Sequence, residues 1–425
     1  MNDTEEYAIM SADIIYRCKT KGQVLVAKEQ KNGFKTIETN SKELEEKLRE
    51  YREQKKAKFK LFLRVLLVIG LLILVVDMIY ALRSYSAYEA TDSVERDRSS
   101  ATQFEMFGEC LLEYSNDGIS CMDINHEIIW NQSFEMISPE IVICKEYLAI
   151  YDASGTQIYI MTKGGLQKRI ETALPIQTVC IAEQGTVAVL MKENNVSQIK
   201  LFDTKGNELA NGKFYGDKGG FPIDIALSYD GTKLAVGMVN VAEGNVSTAI
   251  SFYNFGSVGQ SEIDNNVGSY LIEGVLVPQI EYVSNSRMIG IGTGRILVFE
   301  GSQKPELARE IVLEEEILSC FHNEKYVGIV YNNIDEEELW HIKVMDFRGN
   351  TIMENDTSIP YTHIEFLSNN EICVTSATEC QLFTTHSIKK FSYTFDKELY
   401  KILAGTTGQN YTFIFKDTIE EVKLK

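Results

Sequence analysis

The chain has 425 residues and is acidic, because 61 Asp and Glu residues outnumber 42 Lys and Arg residues and give a formal net charge of −19. This charge disfavours a nucleic-acid partner, since a phosphate backbone requires a basic protein face. The eight cysteines form no CxxC pair and the five histidines are scattered, so the sequence predicts no metal site.

Residues 1–60 are predicted to form a small cytoplasmic segment that ends in a basic juxtamembrane helix. The helix is expected to begin at the Asn40-Ser41 cap, and its acids come before its bases, an order that complements the helix dipole. Lys55, Lys56 and Lys60 crowd its end. We expect the helix to continue directly into the apolar stretch that follows.

Residues 61–82, LFLRVLLVIGLLILVVDMIYAL, are predicted to form a single membrane-spanning helix. A helix of this length is about 33 Å long, which is enough for a hydrocarbon core of about 30 Å. The lysines on its N-terminal side place the N-terminus in the cytoplasm and the C-terminal part outside. The sequence therefore predicts a cell-membrane protein with an extracytoplasmic domain; the alternative is a buried helix of a soluble protein.

Residues 83–102 lack hydrophobic periodicity and are predicted to be a stalk. From residue 103 to 425, apolar runs separated by Asn, Asp and Gly turns recur in units of about 35–45 residues, the spacing of propeller blades. This pattern predicts an all-β propeller of eight blades, with seven as the alternative. Residues 109–134 supply second, third and outer strands and the C-terminus supplies the inner three, which predicts ring closure between the two ends.

Several segments carry a strand–Asp–x–x–Gly–x–strand pattern or a decayed form of it: ISCMDINHEIIW (119–130), QIKLFDTKGNEL (198–209) and IKVMDFRGNTI (342–352). They resemble the hairpins of quinoprotein-type propeller repeats, and SYDGTKLAVG (228–237) resembles the matching element of WD40-like repeats. The overall plan resembles uncharacterised Gram-positive bacterial families of single-pass, membrane-anchored propellers. The resemblance implies the fold but no function, because the Asp and Gly serve the turn.

The related quinoprotein dehydrogenases hold their quinone against an adjacent pair of cysteines. This chain has no adjacent cysteines, so we expect no quinone and no other cofactor. The acidic run 335–338 could bind a cation, but its spacing fits no known loop and a solvated loop is favoured.

Three acids are predicted to line the central channel on inner strands: Asp224, Glu281 and Glu365. Convergence of these carboxylates would favour a channel enzyme, whereas an apolar plug would disfavour one. Separately, Cys373 and Cys380 would face each other across a hairpin if Ser376-Ala377 formed a two-residue turn. That pair is therefore a candidate disulfide.

The chain has no GxSxG elbow, HExxH helix or Walker loop. The leading hypothesis is a non-enzymatic binding or scaffold module for an envelope protein or a cell-wall partner. One alternative is a hydrolase or lyase with its site in the channel. Another is a sensor that relays ligand binding to the cytoplasmic helix.

Overall fold

A computed structural model describes residues 14–19, 23–30, 33–39, 41–81, 83–96, 103–123, 127–216, 220–242, 244–333 and 339–425. The chain divides into two compact units, Met1–Ala81 and Leu82–Lys425. The acidic run 335–338 lies outside the described residues.

In the first unit, a small antiparallel sheet precedes one long helix. The sheet consists of β1 (Ile14–Lys19), β2 (Gln23–Gln30) and β3 (Gly33–Thr39). The helix, α1 (Ser41–Ala81), begins where the capping pattern predicted its start and continues through the apolar stretch. Among the residues that the structure describes, no helix combines the length and the apolarity needed to cross a membrane.

The second unit is a ring of eight antiparallel sheets with four strands each. This confirms the predicted eight-bladed propeller, and the seven-bladed alternative is wrong. Blades are numbered here in chain order, with the first strand innermost, because the first strands of neighbouring blades contact one another, as β13 (Ile176–Ile181) and β17 (Phe221–Leu227) do.

The first four blades have the following strands. Blade 1 contains β5 (Gln103–Phe107), β6 (Cys110–Ser115), β7 (Gly118–Met122) and β8 (Ile128–Ser133). Blade 2 contains β9 (Pro139–Cys144), β10 (Tyr147–Asp152), β11 (Gln157–Thr162) and β12 (Gly165–Glu171). Blade 3 contains β13, β14 (Val187–Glu193), β15 (Val196–Phe202) and β16 (Glu208–Tyr215). Blade 4 contains β17, β18 (Lys233–Ala242), β19 (Asn245–Asn254) and β20 (Asn266–Glu273), with two short 3₁₀ turns between β19 and β20.

The remaining blades follow the same plan. Blade 5 contains β21 (Gln279–Ser284), β22 (Arg287–Gly292), β23 (Arg295–Glu300) and β24 (Glu306–Val312). Blade 6 contains β25 (Ser319–His322), β26 (Tyr326–Asn332), β27 (Trp340–Asp346) and β28 (Thr351–Thr357). Blade 7 contains β29 (His363–Phe366), β30 (Ile372–Thr375), β31 (Glu379–Phe383) and β32 (Lys389–Thr394). Blade 8 contains β33 (Leu399–Ala404), β34 (Asn410–Phe415), β35 (Thr418–Leu424) and β4 (Tyr88–Glu95).

The ring closes where β4, from the N-terminal end of the propeller, pairs antiparallel with β35. This closure corrects the predicted stalk over residues 83–102, because Tyr88–Glu95 is the outer strand of blade 8. An outer strand exposes most of its side chains, so β4 has no apolar alternation to reveal it. Closure between the two chain ends is confirmed, but blade 1 has its own four strands and needs none from the C-terminus.

The alternation of strand direction gives the ring two distinct ends. Turns between the first and second strands, and between the third and fourth, lie at one end, here called the lower end. Turns between the second and third strands, and the connections between blades, lie at the upper end. The chain enters the propeller at the lower end, where the N–H groups of Ser86 and Ala87 both donate to the Lys425 carbonyl.

The Asp and Gly of the repeated hairpin motif serve the turn, as expected. Asp203 accepts hydrogen bonds from the backbone of Lys205 and Asn207, both at 2.8 Å. Asp346 repeats the arrangement in blade 6. Gly206, with φ +81°, occupies the left-handed conformation that completes the turn. These residues therefore have a structural role in the turns and are not candidates for a functional site.

Candidate functional site

The three predicted channel acids lie on innermost strands: Asp224 on β17, Glu281 on β21 and Glu365 on β29. They do not form one cluster. Asp224 and Glu281 lie on neighbouring strands of blades 4 and 5, whereas Glu365 is in blade 7 and pairs with a lysine. The structure thus divides the predicted site into two.

Asp224 is a half-buried acid held by two backbone donors. Its Oδ1 accepts from the Ile225 N–H at 2.9 Å and its Oδ2 from the Ile280 N–H at 2.8 Å. Burial raises the pKa of Asp224 to about 7; the two N–H donors oppose this rise and the nearby Glu281 charge adds to it. Near neutral pH this carboxyl can therefore both hold and release a proton.

Glu281 and Cys180 complete the surroundings of Asp224. Glu281 is half exposed, and its Oε2 lies 3.5 Å from Nε2 of His322 on β25. The Cys180 thiol donates to the Ile225 carbonyl, with 3.0 Å between Sγ and O. Burial, followed by the charges of Asp224 and Glu281, raises the thiol pKa well above its ordinary value, so Cys180 stays neutral and unreactive.

Lys401, on the innermost strand β33, is the centre of the second cluster. Its ammonium lies 2.9 Å from Glu105 Oε1 in blade 1 and 3.2 Å from Glu365 Oε2 in blade 7. His363 Nε2 approaches Glu365 at 3.5 Å. Burial opposes the charge on Lys401, but the two carboxylates outweigh it and raise the lysine pKa. One ammonium thus ties together three consecutive blades.

Convergence of the three carboxylates, which would have favoured a channel enzyme, is therefore not seen among these described side chains. Within the ranges that the structure describes, no group of three or more His, Cys, Asp or Glu side chains is placed to hold a metal ion.

Cys373 and Cys380 do not face each other as predicted. Cys373 lies opposite Leu382, and Cys380 lies opposite Thr375. The turn closes with Ser376 paired to Glu379, and the Ser376 hydroxyl accepts from the Glu379 N–H, so the two-residue tip is one position later than expected. A shift of one residue at the tip moves the register by two. Both thiols are buried and free in this structure, and burial raises the pKa of Cys380 to about 12.

The upper end carries a group of exposed apolar side chains that the sequence analysis did not single out. We call it the upper patch. Its members are between 39% and 66% exposed and lie at the upper ends of blades 4 to 6 and in their connections: Val241, Leu276, Val312, Leu318 and Leu339.

Backbone hydrogen bonds link the segments that carry these side chains. The Leu276 carbonyl accepts from Thr293 in the blade 5 turn at 2.9 Å. The Gly294 carbonyl in the same turn accepts from Leu313 at 2.8 Å. Leu318 then donates to β26 of blade 6. These bonds hold together the segments that carry Leu276, Val312 and Leu318.

Acidic side chains lie among and beside the upper patch. Four exposed glutamates occur in the same connections, and none forms an ion pair with another described residue: Glu273, Glu314, Glu315 and Glu316. The surface therefore combines exposed apolar side chains with unneutralised negative charge.

Two features of this site could not be taken from single segments of sequence. Lys401 follows Tyr400 in an ordinary strand pattern, and its role appears only when blades 7, 8 and 1 meet. The upper patch collects residues far apart in the chain. The one available signal was local: the run LEEEIL (313–318) places acids between apolar residues in a loop.

Residues 81–424 match a family described as "Family of unknown function (DUF5711)". Similar solved structures include BamB from Moraxella catarrhalis, with 13% identity, a TM-score of 0.47, and coverage of 80% of this chain and 100% of that one. The Pan2 WD40 domain of Neurospora crassa has 7% identity, a TM-score of 0.42, and coverage of 79% and 95%. BBS1N in complex with ARL6DN has 11% identity, a TM-score of 0.42, and coverage of 81% of this chain and 98% of that one. No curated protein matches the chain significantly.

Proposed function

The chain belongs to the DUF5711 family, whose function is unknown, and we propose that its propeller is a non-enzymatic binding module that docks a protein partner through the upper patch. The observation that carries this proposal is the exposure of five large apolar side chains at the upper ends of three consecutive blades and in their connections. Single exposed apolar residues are normal, but a group of them at one end of a domain with polar surroundings is typical of protein interaction sites.

The charge beside the upper patch defines the chemistry of the partner. Glu314, Glu315 and Glu316 are exposed and free of ion pairs with described residues, so they favour basic side chains on the opposing surface. The partner is therefore expected to present an apolar anchor flanked by Lys or Arg. Such charges act mainly on the association rate, which should fall as salt is raised.

The second part of the proposal concerns location: α1 anchors the propeller at the outer face of the cell membrane, with the N-terminus in the cytoplasm and an envelope protein as partner. Supporting this, the apolar side chains in the first half of the predicted span are uncovered on successive positions, from Leu61 at 61% exposed to Leu72 at 58%. The basic run on the N-terminal side supports the orientation.

Fractionation tests the location. The full chain should stay in the membrane pellet after alkaline carbonate extraction, and protease added to cells without their wall should digest the propeller while sparing an N-terminal epitope tag. A soluble chain, or a propeller protected in intact protoplasts, would refute this part of the proposal.

Site-specific photocrosslinking in cells tests the docking surface. A photoreactive residue at Leu318, in the upper patch, should capture one defined envelope protein. The matched control is Leu209 on β16, which is 57% exposed but begins its strand at the lower end. Capture should be lost with Leu276→Asp and kept with Leu209→Asp. Equal capture from both positions, or capture insensitive to Leu276→Asp, would overturn the proposal.

A channel enzyme is the second candidate, favoured by one observation. Asp224, with its pKa raised to about 7, adjoins the exposed carboxylate of Glu281, and such a pair can supply an acid and a base. If the channel catalyses a reaction, Asp224→Asn should abolish the cellular phenotype of the gene while leaving folding and partner capture intact. A fully functional Asp224→Asn variant would exclude this candidate.

A further inference from the structure

The interface between blades 8 and 1, here called the seam, has the smallest buried apolar cluster of the described blade interfaces. Its apolar cluster has five buried residues, whereas thirteen fill the interface between blades 7 and 8. At the upper end of the seam, the Arg96 guanidinium fills the space by stacking 4.6 Å above the Phe104 ring and bonding Glu113 at 3.1 Å. At the lower end of the seam, Lys401 of blade 8 pairs with Glu105 of blade 1.

A cleft of about 630 Å³ occupies that lower end, bounded by blades 7, 8 and 1. This volume lies in the range of small-molecule sites, about 300–1,000 Å³. Its walls are mostly apolar and include Met106, Leu403 and Val422. The cleft thus combines apolar walls with charged side chains.

The charges in the cleft are unevenly distributed. At the inner end, Lys401 is nine-tenths buried and is neutralised by Glu105 and Glu365. At the mouth, Glu109 and Glu421 are exposed, and neither forms an ion pair with another described residue. The lining therefore carries four carboxylates and one ammonium, and the two carboxylates without an ion pair to a described residue are the exposed ones.

We propose that the seam cleft binds an aliphatic primary ammonium group, whose chain packs on the apolar walls while Glu109 and Glu421 bind its charged end. A negative mouth over an apolar floor selects a cation with an apolar body and rejects the corresponding anion. The ligand is either a free amine or a lysine side chain of a peptide. This site is independent of the upper patch, which lies at the other end of the ring.

Ligand-observed NMR on the detergent-solubilised full chain tests the proposal, with n-hexylamine, hexanoate and N-acetyl-lysine methylamide as probes at neutral pH. Hexylamine should bind saturably and hexanoate should not. Preference for hexylamine over the lysine derivative would identify a free amine as the ligand, and the reverse order a peptide lysine. Equal binding of hexylamine and hexanoate, or no saturable binding of either amine, would overturn the proposal.

Variants locate the site. The double variant Glu109→Gln with Glu421→Gln should weaken amine binding by about tenfold or more, since two charge-assisted bonds are lost. Glu314→Gln, an equally exposed change at the other end of the ring, should leave binding unchanged. Leu403→Trp should block the cleft; a thermal unfolding midpoint close to that of the wild type would show that the variant still folds. Unchanged affinity in the double variant would place the amine elsewhere and refute the site.

Discussion

Asp224 and Glu365 occupy comparable positions but titrate in opposite directions. Both lie on innermost strands, and burial opposes the charge of each. Yet the pKa of Asp224 is raised to about 7, whereas the pKa of Glu365 falls below its ordinary value. Depth in the ring therefore does not decide the charge of a channel carboxyl.

The neighbouring charges make the difference. Glu365 has Lys401 at 3.2 Å and His363 at 3.5 Å, and the hydrogen bond to His363 and the charge of Lys401 together outweigh its burial. Asp224 has only backbone N–H donors, and its charged neighbour, Glu281, repels its anion. Ion pairs thus link neighbouring blades on the Glu365 side of the ring, whereas on the other side the Asp224 carboxyl can hold a proton.

The largest expected effect is on the pH dependence of stability, through Asp224→Asn. The unfolded chain releases this proton near pH 3.8 and the folded chain near pH 7, so between these values the folded state binds the extra proton and loses stability as the pH rises. The loss is on the order of 4 kcal/mol. Urea unfolding of the full chain from pH 4 to 8 should show this slope in the wild type and a much flatter profile in the variant. An unchanged slope would show that another group carries it.

The second effect is on the cluster around Lys401, through Lys401→Met. The Lys401–Glu365 ion pair is intact between the ordinary pKa values of its two groups. The lowered carboxyl pKa stabilises the fold above pH 4.5, and the raised lysine pKa stabilises it below pH 10.5. Removing the lysine leaves buried carboxylate charge and should cost about 3 kcal/mol at neutral pH. The cost should shrink as the pH falls below the ordinary carboxyl pKa of 4.5, because Glu365 then becomes protonated.

Lys416→Met is the matched control for that prediction. Lys416 belongs to the same blade and lies 2.9 Å from Glu398, but both side chains are well exposed. The change should leave the free energy of unfolding nearly unchanged, because water screens exposed pairs. Equal losses of unfolding free energy in the two variants would contradict the view that Lys401 ties three blades together.

The contrast between the two carboxyls also shows what sequence can predict. The blade number follows from local signals, because each hairpin shows alternating apolar residues and turn residues within one continuous segment, such as 198–209. Such signals also place Asp224 and Glu365 on first strands. Their opposite pKa shifts depend on burial in the ring and on whether a cation such as Lys401 lies in a neighbouring blade, which no single segment of sequence contains. The outer strand β4 was not predicted, because it buries few side chains and its sequence therefore lacks apolar alternation.

The turn between Cys373 and Cys380 shows a finer limit of prediction from sequence. The turn of this hairpin lies one residue later than expected, and within it the Ser376 hydroxyl accepts a hydrogen bond from the Glu379 N–H. The register that goes with this turn places Cys373 opposite Leu382 and Cys380 opposite Thr375, so the two cysteines are not paired. Fold class tolerates such an error, whereas a site built from two side chains does not.

The smallest expected effect is that of Glu281→Gln, which removes the negative charge of Glu281 beside Asp224. Burial is the main cause of the raised Asp224 pKa and the Glu281 charge a minor one, so removing that charge should lower the pKa only slightly and change the unfolding free energy by less than about 1 kcal/mol. Carboxyl ¹³C NMR of Asp224 would follow the titration directly. Glu365→Gln should leave it unmoved, because Glu365 belongs to the Lys401 cluster. A large fall in the pKa of Asp224 with Glu281→Gln would mean that repulsion, and not burial, separates the two halves of the channel.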